Sequence, residues 1–126
     1  MRVILAKSVK KWLYKEKNVR NENIVAAAEE VVLGSFEANL GGNLYKKRIS
    51  NSTNKGKSSG SRLIVAFKHG DRFYVLHVFN KNESENISSK EKAILIQRAK
   101  QYFQLDEEQL SKAMKAKFLF EIKKDN

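Results

Sequence analysis

Positively charged side chains crowd one stretch of the sequence that contains no acidic residue. This stretch extends from Ala38 to Gly70, between Glu37 and Asp71. Its cations are Lys46, Lys47, Arg48, Lys55, Lys57, Arg62 and Lys68. Cationic side chains without nearby carboxylates attract ligands with several negative charges, and arginine can hold a phosphate through two parallel N–H groups. The pattern therefore indicates a site for a polyanion whose charge lies on phosphates.

The composition of the whole chain agrees with such a ligand. The formal net charge is +11 in 126 residues, which favours nucleic acid or an anionic membrane surface as the partner. The absence of cysteine excludes disulfides and cysteine-ligated metal sites. No apolar run approaches the roughly 20 residues that a membrane span needs, so we expect a soluble cytoplasmic protein that does not enter the membrane. The length predicts a single domain over residues 1–126.

Two alternating runs flank the middle of the basic stretch and predict a pair of strands. These runs are residues 44–49 and 62–68. The Ser, Asn, Lys and Gly residues between them predict a basic loop. Because side chains alternate between the two faces of a strand, Lys46 and Arg48 should share one face while Lys47 lies on the other. Arg62 begins the second strand, and we expect it to reach the same concavity as Lys46 or Arg48.

The segment before the basic stretch predicts one strand and two helices. Residues 3–6 form a short apolar run, which is typical of a buried strand. From Ser8 the apolar residues follow helical spacing, and a second helix is expected from near Asn21 to Leu33, with Gly34 at its end. A few polar residues join the two helices, so we expect them to form a helical hairpin.

The segment after the basic stretch predicts a central strand followed by helices. Residues 72–80 are apolar on both faces, as expected for a strand that is covered on both sides. Ser88 and Glu91 form a capping-box pattern before an apolar helical stripe, and a similar pattern at Asp106 precedes a shorter helix. Residues 118–122 fit either an edge strand or an unpaired tail. Together the elements predict an α+β fold, in which a small antiparallel sheet carries an N-terminal helical hairpin and a C-terminal helix.

Five sequence segments, taken in order, resemble one family of small bacterial toxins. They are A-A-x-E-(x)3-G at residues 27–34, E-A-N-L-G-G at 37–42, Y-K-K-R at 45–48, G-K-S-x-G-x-R at 56–62 and F-x-K-N-E-x-x-N-I at 79–87. The set is similar to the RelE/HigB-like branch of the RelE/ParE superfamily. One difference lies in the basic loop, where Ser59 stands at a position at which the family commonly has a second glycine, and no proline precedes the loop.

The resemblance implies a toxin of a type II toxin–antitoxin pair that cuts mRNA, usually on the ribosome. An antitoxin, often a helix-turn-helix protein, is implied as the partner that silences it. Two other functions fit the same charges. A ParE-like toxin binds a topoisomerase and cuts nothing, and a plain RNA-binding domain uses its cations for affinity alone. The presence of Lys57, Arg62 and Lys81 at positions that match the family favours the nuclease.

RNA cleavage without a metal or other cofactor makes three chemical demands. The 2′-hydroxyl must lose a proton, the developing charge on the phosphate must be stabilised, and the leaving oxygen must gain a proton. The only histidines in the sequence, His69 and His77, are more typical of core or surface positions. The catalytic candidates are therefore Arg62, Lys57, Arg48, Lys81 and Glu83.

Arg62 is the leading candidate because its planar guanidinium can meet two phosphate oxygens as their charge develops. Lys57 resembles a phosphate-loop lysine but lacks the full glycine spacing and the following helix, so contact with RNA through a flexible loop is favoured. Glu83 is expected to act as a general base or to orient Arg62. The predicted RNA-binding residues are Lys46, Lys47, Lys55, Lys68 and Asn82. Lys47, which faces the other way, also fits an ordinary surface charge or an antitoxin contact.

Overall fold

The computed structural model describes residues 1–49, 60–80 and 87–124. In chain order the elements in these ranges are β1 Arg2–Ala6, α1 Lys7–Lys15, α2 Asn21–Val32, β2 Ala38–Gly41, β3 Leu44–Arg48, β4 Ser61–Phe67, β5 Arg72–Asn80, α3 Ser89–Phe103, α4 Glu107–Lys115 and β6 Leu119–Ile122. None of these described helices combines the length and the apolar character that crossing a membrane requires.

The described strands form one sheet in the order β2-β3-β4-β5-β1-β6. The predicted α+β class is confirmed. The predicted antiparallel sheet is confirmed for four of the five neighbouring strand pairs, whereas β1 and β5 pair in parallel, which was not predicted. A tight hairpin turn forces antiparallel pairing, whereas β1 leads into α1 and meets β5 only after a long connection, which permits parallel pairing.

The sequence pattern did not define the strands at the two edges of the sheet. Strand β6 pairs with β1, which decides between the edge strand and the unpaired tail in favour of the strand. Strand β2 pairs with β3 at the other edge, although no strand was predicted there. Because β1 lies between β5 and β6, its residues from Val3 to Ala6 are all buried, and this explains the continuous apolar run.

Alternation along the strands divides the buried residues into two clusters, one on each face of the sheet. We call these faces the α1–α2 face and the α3–α4 face, after the helices that contribute to each cluster. Buried members on the α1–α2 face include Leu5, Val9, Ile24, Leu63 and Val75. Buried members on the α3–α4 face include Ile4, Ile64, Tyr74, Leu95 and Leu110. Successive strand residues such as Leu63 and Ile64 therefore serve different helices.

Polar contacts from β5 fix the C-terminal end of α3 to the sheet. The Tyr74 hydroxyl donates a hydrogen bond to the Tyr102 carbonyl at 2.9 Å, and Arg72 Nη1 donates to the Leu105 carbonyl at 2.6 Å. Burial raises the pKa of the Tyr74 hydroxyl. Since one end of α3 is fixed in this way, the first turns of the helix have a defined position relative to β3.

The turn between β2 and β3 packs against α3 at a glycine. Gly42 has a φ of +59°, and a Cβ placed on it would lie 2.9 Å from carbons of the Ile96 side chain. Gly41, the neighbouring residue, has a φ of +83°, but a Cβ there would meet nothing within 4 Å. Both positions favour glycine for backbone reasons, and only Gly42 also needs the missing side chain for contact with the helix.

We expect Gly42→Ala to destabilise the protein more than the matched control Gly41→Ala. Both substitutions incur the left-handed backbone penalty of about 1–2 kcal/mol. Only Gly42→Ala adds a collision with Ile96, which costs roughly 1–3 kcal/mol by the usual effect of overpacking. Chemical denaturation measures the difference, and Gly42→Ala should cost less in an Ile96→Ala background. Equal losses for the two alanine variants would show that the turn does not rest on α3.

Candidate nucleic-acid interface

Strand pairing brings three of the predicted cations to one face of the sheet. In the β3–β4 register, Lys46 lies opposite Ile64 and Arg48 lies opposite Arg62. Residues directly opposite each other in an antiparallel pair share a face, and Ile64 belongs to the core of the α3–α4 face. Lys46, Arg48 and Arg62 therefore lie on the α3–α4 face, where each is half-buried. This agrees with the alternation predicted from the sequence.

Arg48 and Arg62, which we call the arginine pair, place two positive charges side by side on neighbouring strands. Like charges directly opposite each other destabilise a strand pair unless another charge offsets them. The offset comes from Glu37, whose Oε1 lies 2.7 Å from Arg62 Nε. Among the described residues no carboxylate lies within ion-pair distance of Arg48. The pair can therefore present uncompensated charge to a phosphate through Arg48.

Glu37 is held in place by its own backbone as well as by the ion pair. Its amide N–H donates to the Lys46 carbonyl at 2.8 Å, next to the start of β2. The side chain of Glu37 is 33% exposed and that of Arg62 is 13% exposed, so the contact is partly shielded from water. The sequence pattern did not reveal this contact and marked Glu37 only as the border of the acid-free stretch. The sequence feature that could have pointed to Glu37 is its position as the first residue of the E-A-N-L-G-G segment.

Two aromatic side chains of β5 extend the same face. Phe79 lies opposite Arg62, and His77 lies opposite Ile64, next to a bulge in β5. The two rings are stacked with centroids 6.1 Å apart. His77 was expected to be an ordinary core or surface histidine, and its half-buried position beside the arginine pair also makes it a candidate contact for RNA. Aromatic rings support single-stranded nucleic acid by stacking on its bases.

Lys47 lies on the opposite face of β3 and is only 8% exposed. Its ammonium is 2.8 Å from Glu30 Oε1 and donates to Ser35 Oγ at 3.3 Å, which ties α2 to β3. The interpretation of Lys47 as an ordinary surface charge was wrong, because the Glu30 carboxylate and the Ser35 hydroxyl hold the ammonium against the protein. The side chain also points away from the arginine pair, so Lys47 is not on the face that carries the candidate RNA contacts.

Lys68 also lies apart from the arginine pair. It is exposed and directly follows the last residue of β4, whereas Arg62 is near the beginning of that strand. At the rise of an extended strand, this places the two residues roughly 20 Å apart. Lys68 can contact RNA only at a distance of several nucleotides from the arginine pair.

Five predicted residues lie outside the described part of the chain: Lys55, Lys57, Lys81, Asn82 and Glu83. The described residues that flank the two segments lie at the end of the sheet that carries the arginine pair. The Ile49 amide donates to the Ser61 carbonyl at 3.1 Å, and Ser61 Oγ donates to Asn80 Oδ1 at 2.9 Å. The ends of β3, β4 and β5 therefore meet next to Arg48 and Arg62.

A pocket of about 290 Å³ lies between Lys46 and the first turn of α3. Its lining residues are Leu40, Lys46, Ile87, Ser88, Ser89 and Lys92. The predicted capping box is confirmed, because Ser88 Oγ accepts a hydrogen bond from the Glu91 amide at 3.0 Å. Lys92 was not singled out in the sequence, and it adds a cation from the helix. The pocket extends the positively charged surface from β3 to α3, which suits an extended anionic ligand.

We expect the substitution Lys47→Ala to lower the stability of the protein, and the neighbouring substitution Arg48→Ala to affect its binding to RNA. Lys47→Ala removes a buried ammonium from its ion pair with the exposed Glu30 carboxylate, together with its packed aliphatic stem, and should lower the free energy of unfolding by about 1–2 kcal/mol. Arg48→Ala should leave stability nearly unchanged, because it also relieves the repulsion from Arg62. It should reduce the salt dependence of binding to a single-stranded RNA oligonucleotide by about one phosphate contact. Denaturation and binding at several salt concentrations test both. An unchanged salt slope for Arg48→Ala would remove Arg48 from the interface.

The sequence matches the model of one protein family over residues 1–122, which covers every described strand and helix. The family is described as the RelE toxin of the RelE/RelB toxin–antitoxin system. No curated protein matches the chain in sequence. The resemblance stated from five short segments is therefore confirmed at the level of the family, and the chain belongs to the RelE family of toxins of toxin–antitoxin systems.

Proposed function

We propose that the chain is an endoribonuclease that cleaves mRNA without a metal ion and so inhibits translation. The observation that carries the proposal is the arginine pair, with Arg62 held by Glu37 at 2.7 Å and Arg48 without an ion-pair partner among the described residues. Two guanidinium groups on adjacent strands suit a phosphate whose negative charge grows during cleavage. The partly shielded position of Arg62 strengthens its interaction with such a charge.

In this proposal Arg62 stabilises the charge on the scissile phosphate and Arg48 binds the same or a neighbouring phosphate. Lys81 and Glu83, which follow β5, are the proposed proton-transfer groups, and Lys57 belongs to the loop that holds RNA. The support for these roles is the match of their positions to the family segments and the meeting of the flanking strand ends next to the arginine pair. The proposed RNA contacts beyond the scissile phosphate are Lys46, Lys55, Lys68 and Asn82.

The partners of the protein follow from the family and from its charge. Membership of the RelE family implies an antitoxin as partner. We further propose that this antitoxin is a helix-turn-helix protein, that the mRNA is cleaved on the ribosome in the cytoplasm, and that residues 1–126 form a single toxin domain. A net charge of +11 supports attraction to ribosomal RNA as well as to the message, because each phosphate that is contacted releases a counterion.

We expect Arg62→Ala and Lys57→Ala to affect cleavage in different ways. If Arg62 meets charge that develops in the transition state, its loss should lower the cleavage rate at saturation about 100- to 1,000-fold while RNA affinity changes little. If Lys57 tethers RNA, its loss should weaken affinity and leave the rate at saturation nearly unchanged. Single-turnover cleavage of a ribosome-bound message, with binding measured separately, distinguishes the two variants.

The same experiment decides among the alternative functions. Equal and small losses in rate and affinity for Arg62→Ala would move the phosphate clamp to Arg48 or Lys81. RNA binding without any cleavage by the unaltered protein, on or off the ribosome, would favour a plain RNA-binding domain. Absence of both RNA binding and cleavage would favour a ParE-like toxin, which a topoisomerase inhibition assay then tests.

A further inference from the structure

Glu37 contacts Arg62 of the arginine pair, which lies on a face that also carries Lys46 and Arg48. A negative charge beside an RNA site opposes the approach of phosphate, so its presence there lowers affinity. The contact joins residues 25 positions apart in the sequence, with Glu37 Oε1 2.7 Å from Arg62 Nε. Glu37 is expected to lower RNA affinity, yet it contacts Arg62, the leading catalytic candidate. A role in binding RNA would not explain this contact.

The geometry of Arg62 shows what the carboxylate does to the guanidinium. Glu37 occupies the Nε side of the group, and Nη1 donates to the Ser61 carbonyl at 3.4 Å. Contacts from two directions restrict rotation of the guanidinium plane, and its remaining N–H groups are still donors for a phosphate. Without the carboxylate, repulsion from Arg48 on the neighbouring strand would push Arg62 away from this orientation.

We propose that Glu37 is a positioning residue, which holds Arg62 in the orientation that stabilises the scissile phosphate during cleavage. The inference rests on the proposed ribonuclease function. It gives to Glu37 the orienting role that Glu83 was one candidate to fill. A displacement of about 1 Å in a catalytic group can lower a rate about 100-fold. The gain in cleavage rate from a fixed guanidinium therefore exceeds the loss of RNA affinity that the carboxylate causes.

The proposal predicts opposite effects on rate and affinity. In Glu37→Gln the amide oxygen still accepts a hydrogen bond, and we expect the cleavage rate at saturation to fall about 10-fold. Glu37→Ala should lower it about 100-fold, because no acceptor remains. RNA affinity should stay equal or become tighter in both variants, because a negative charge leaves a polyanion site. A merely structural role would weaken binding and rate together.

The decisive measurement is a double-mutant cycle of Glu37→Gln and Arg62→Ala, read as single-turnover cleavage. A residue that acts only through Arg62 loses its effect when Arg62 is absent, so the double variant should cleave within about 2-fold of Arg62→Ala alone. The matched control is Glu30→Gln, which removes the carboxylate of the Lys47 ion pair on the opposite face and should leave cleavage within about 2-fold of the unaltered protein. Thermal unfolding of each variant verifies that it is folded.

Three results would overturn the proposal. Additive losses in the cycle would show that Glu37 acts independently of Arg62, as a general base would, and not as a positioning residue. An unchanged rate in Glu37→Ala would remove any role in cleavage. If the unaltered protein cleaves no RNA, the proposed function fails and the catalytic role of Glu37 fails with it. In that case the ¹H–¹⁵N signal of Arg62 Nε in the free protein, compared with Glu37→Gln, still shows whether the carboxylate fixes the guanidinium.

Discussion

The pairing of Arg48 with Arg62 across β3 and β4 holds two like charges next to each other, and the candidate site depends on how the protein tolerates them. Glu37 compensates Arg62, and the resulting contact is partly shielded from water. Removing one partner of a shielded ion pair leaves an uncompensated charge, so the two residues are linked in stability. The candidate site therefore combines one guanidinium held by a carboxylate with another, that of Arg48, for which the described residues supply no ion-pair partner.

Strand β3 carries a second ion pair on its other face, and its role is different. Lys47 is buried against Glu30 and Ser35 of the α2 region, where it joins the helix to β3. Because strand residues alternate in direction, neighbouring cations in the Y-K-K-R segment have separate tasks. The helices on the α3–α4 face complete the arrangement, since Gly42 packs against Ile96 and brings the turn before β3 close to α3.

Local patterns in the sequence predicted the faces of the strands and the ends of several helices. Alternation placed Arg48 and Lys47 on opposite faces, and the capping box at Ser88 is present as predicted. These features depend on neighbours within a few residues, which is the range over which sequence patterns carry information. The parallel pairing of β1 with β5 was not predicted, because nothing local fixes the partner of a strand that ends in a helix.

Local sequence patterns could not predict which carboxylates pair with the cations of the acid-free stretch. Glu37 and Glu30 reach Arg62 and Lys47 only after the sheet and α2 have assembled, and no spacing rule links residues at such separations. The acid-free stretch correctly indicated where positive charge is concentrated. It could not show that Arg62 pairs with Glu37, which lies just outside the stretch, or that Lys47 pairs with Glu30 of α2.

We propose that the arginine pair forms the site at which mRNA is cut. This role is tested most directly by mapping the 5′ ends of cellular transcripts after brief induction of the unaltered chain and, at equal abundance, of the Arg62→Ala variant. We expect new 5′ ends within coding regions for the unaltered chain and none for the variant. Growth arrest without new ends, or the same ends at the same frequency with Arg62→Ala, would contradict it.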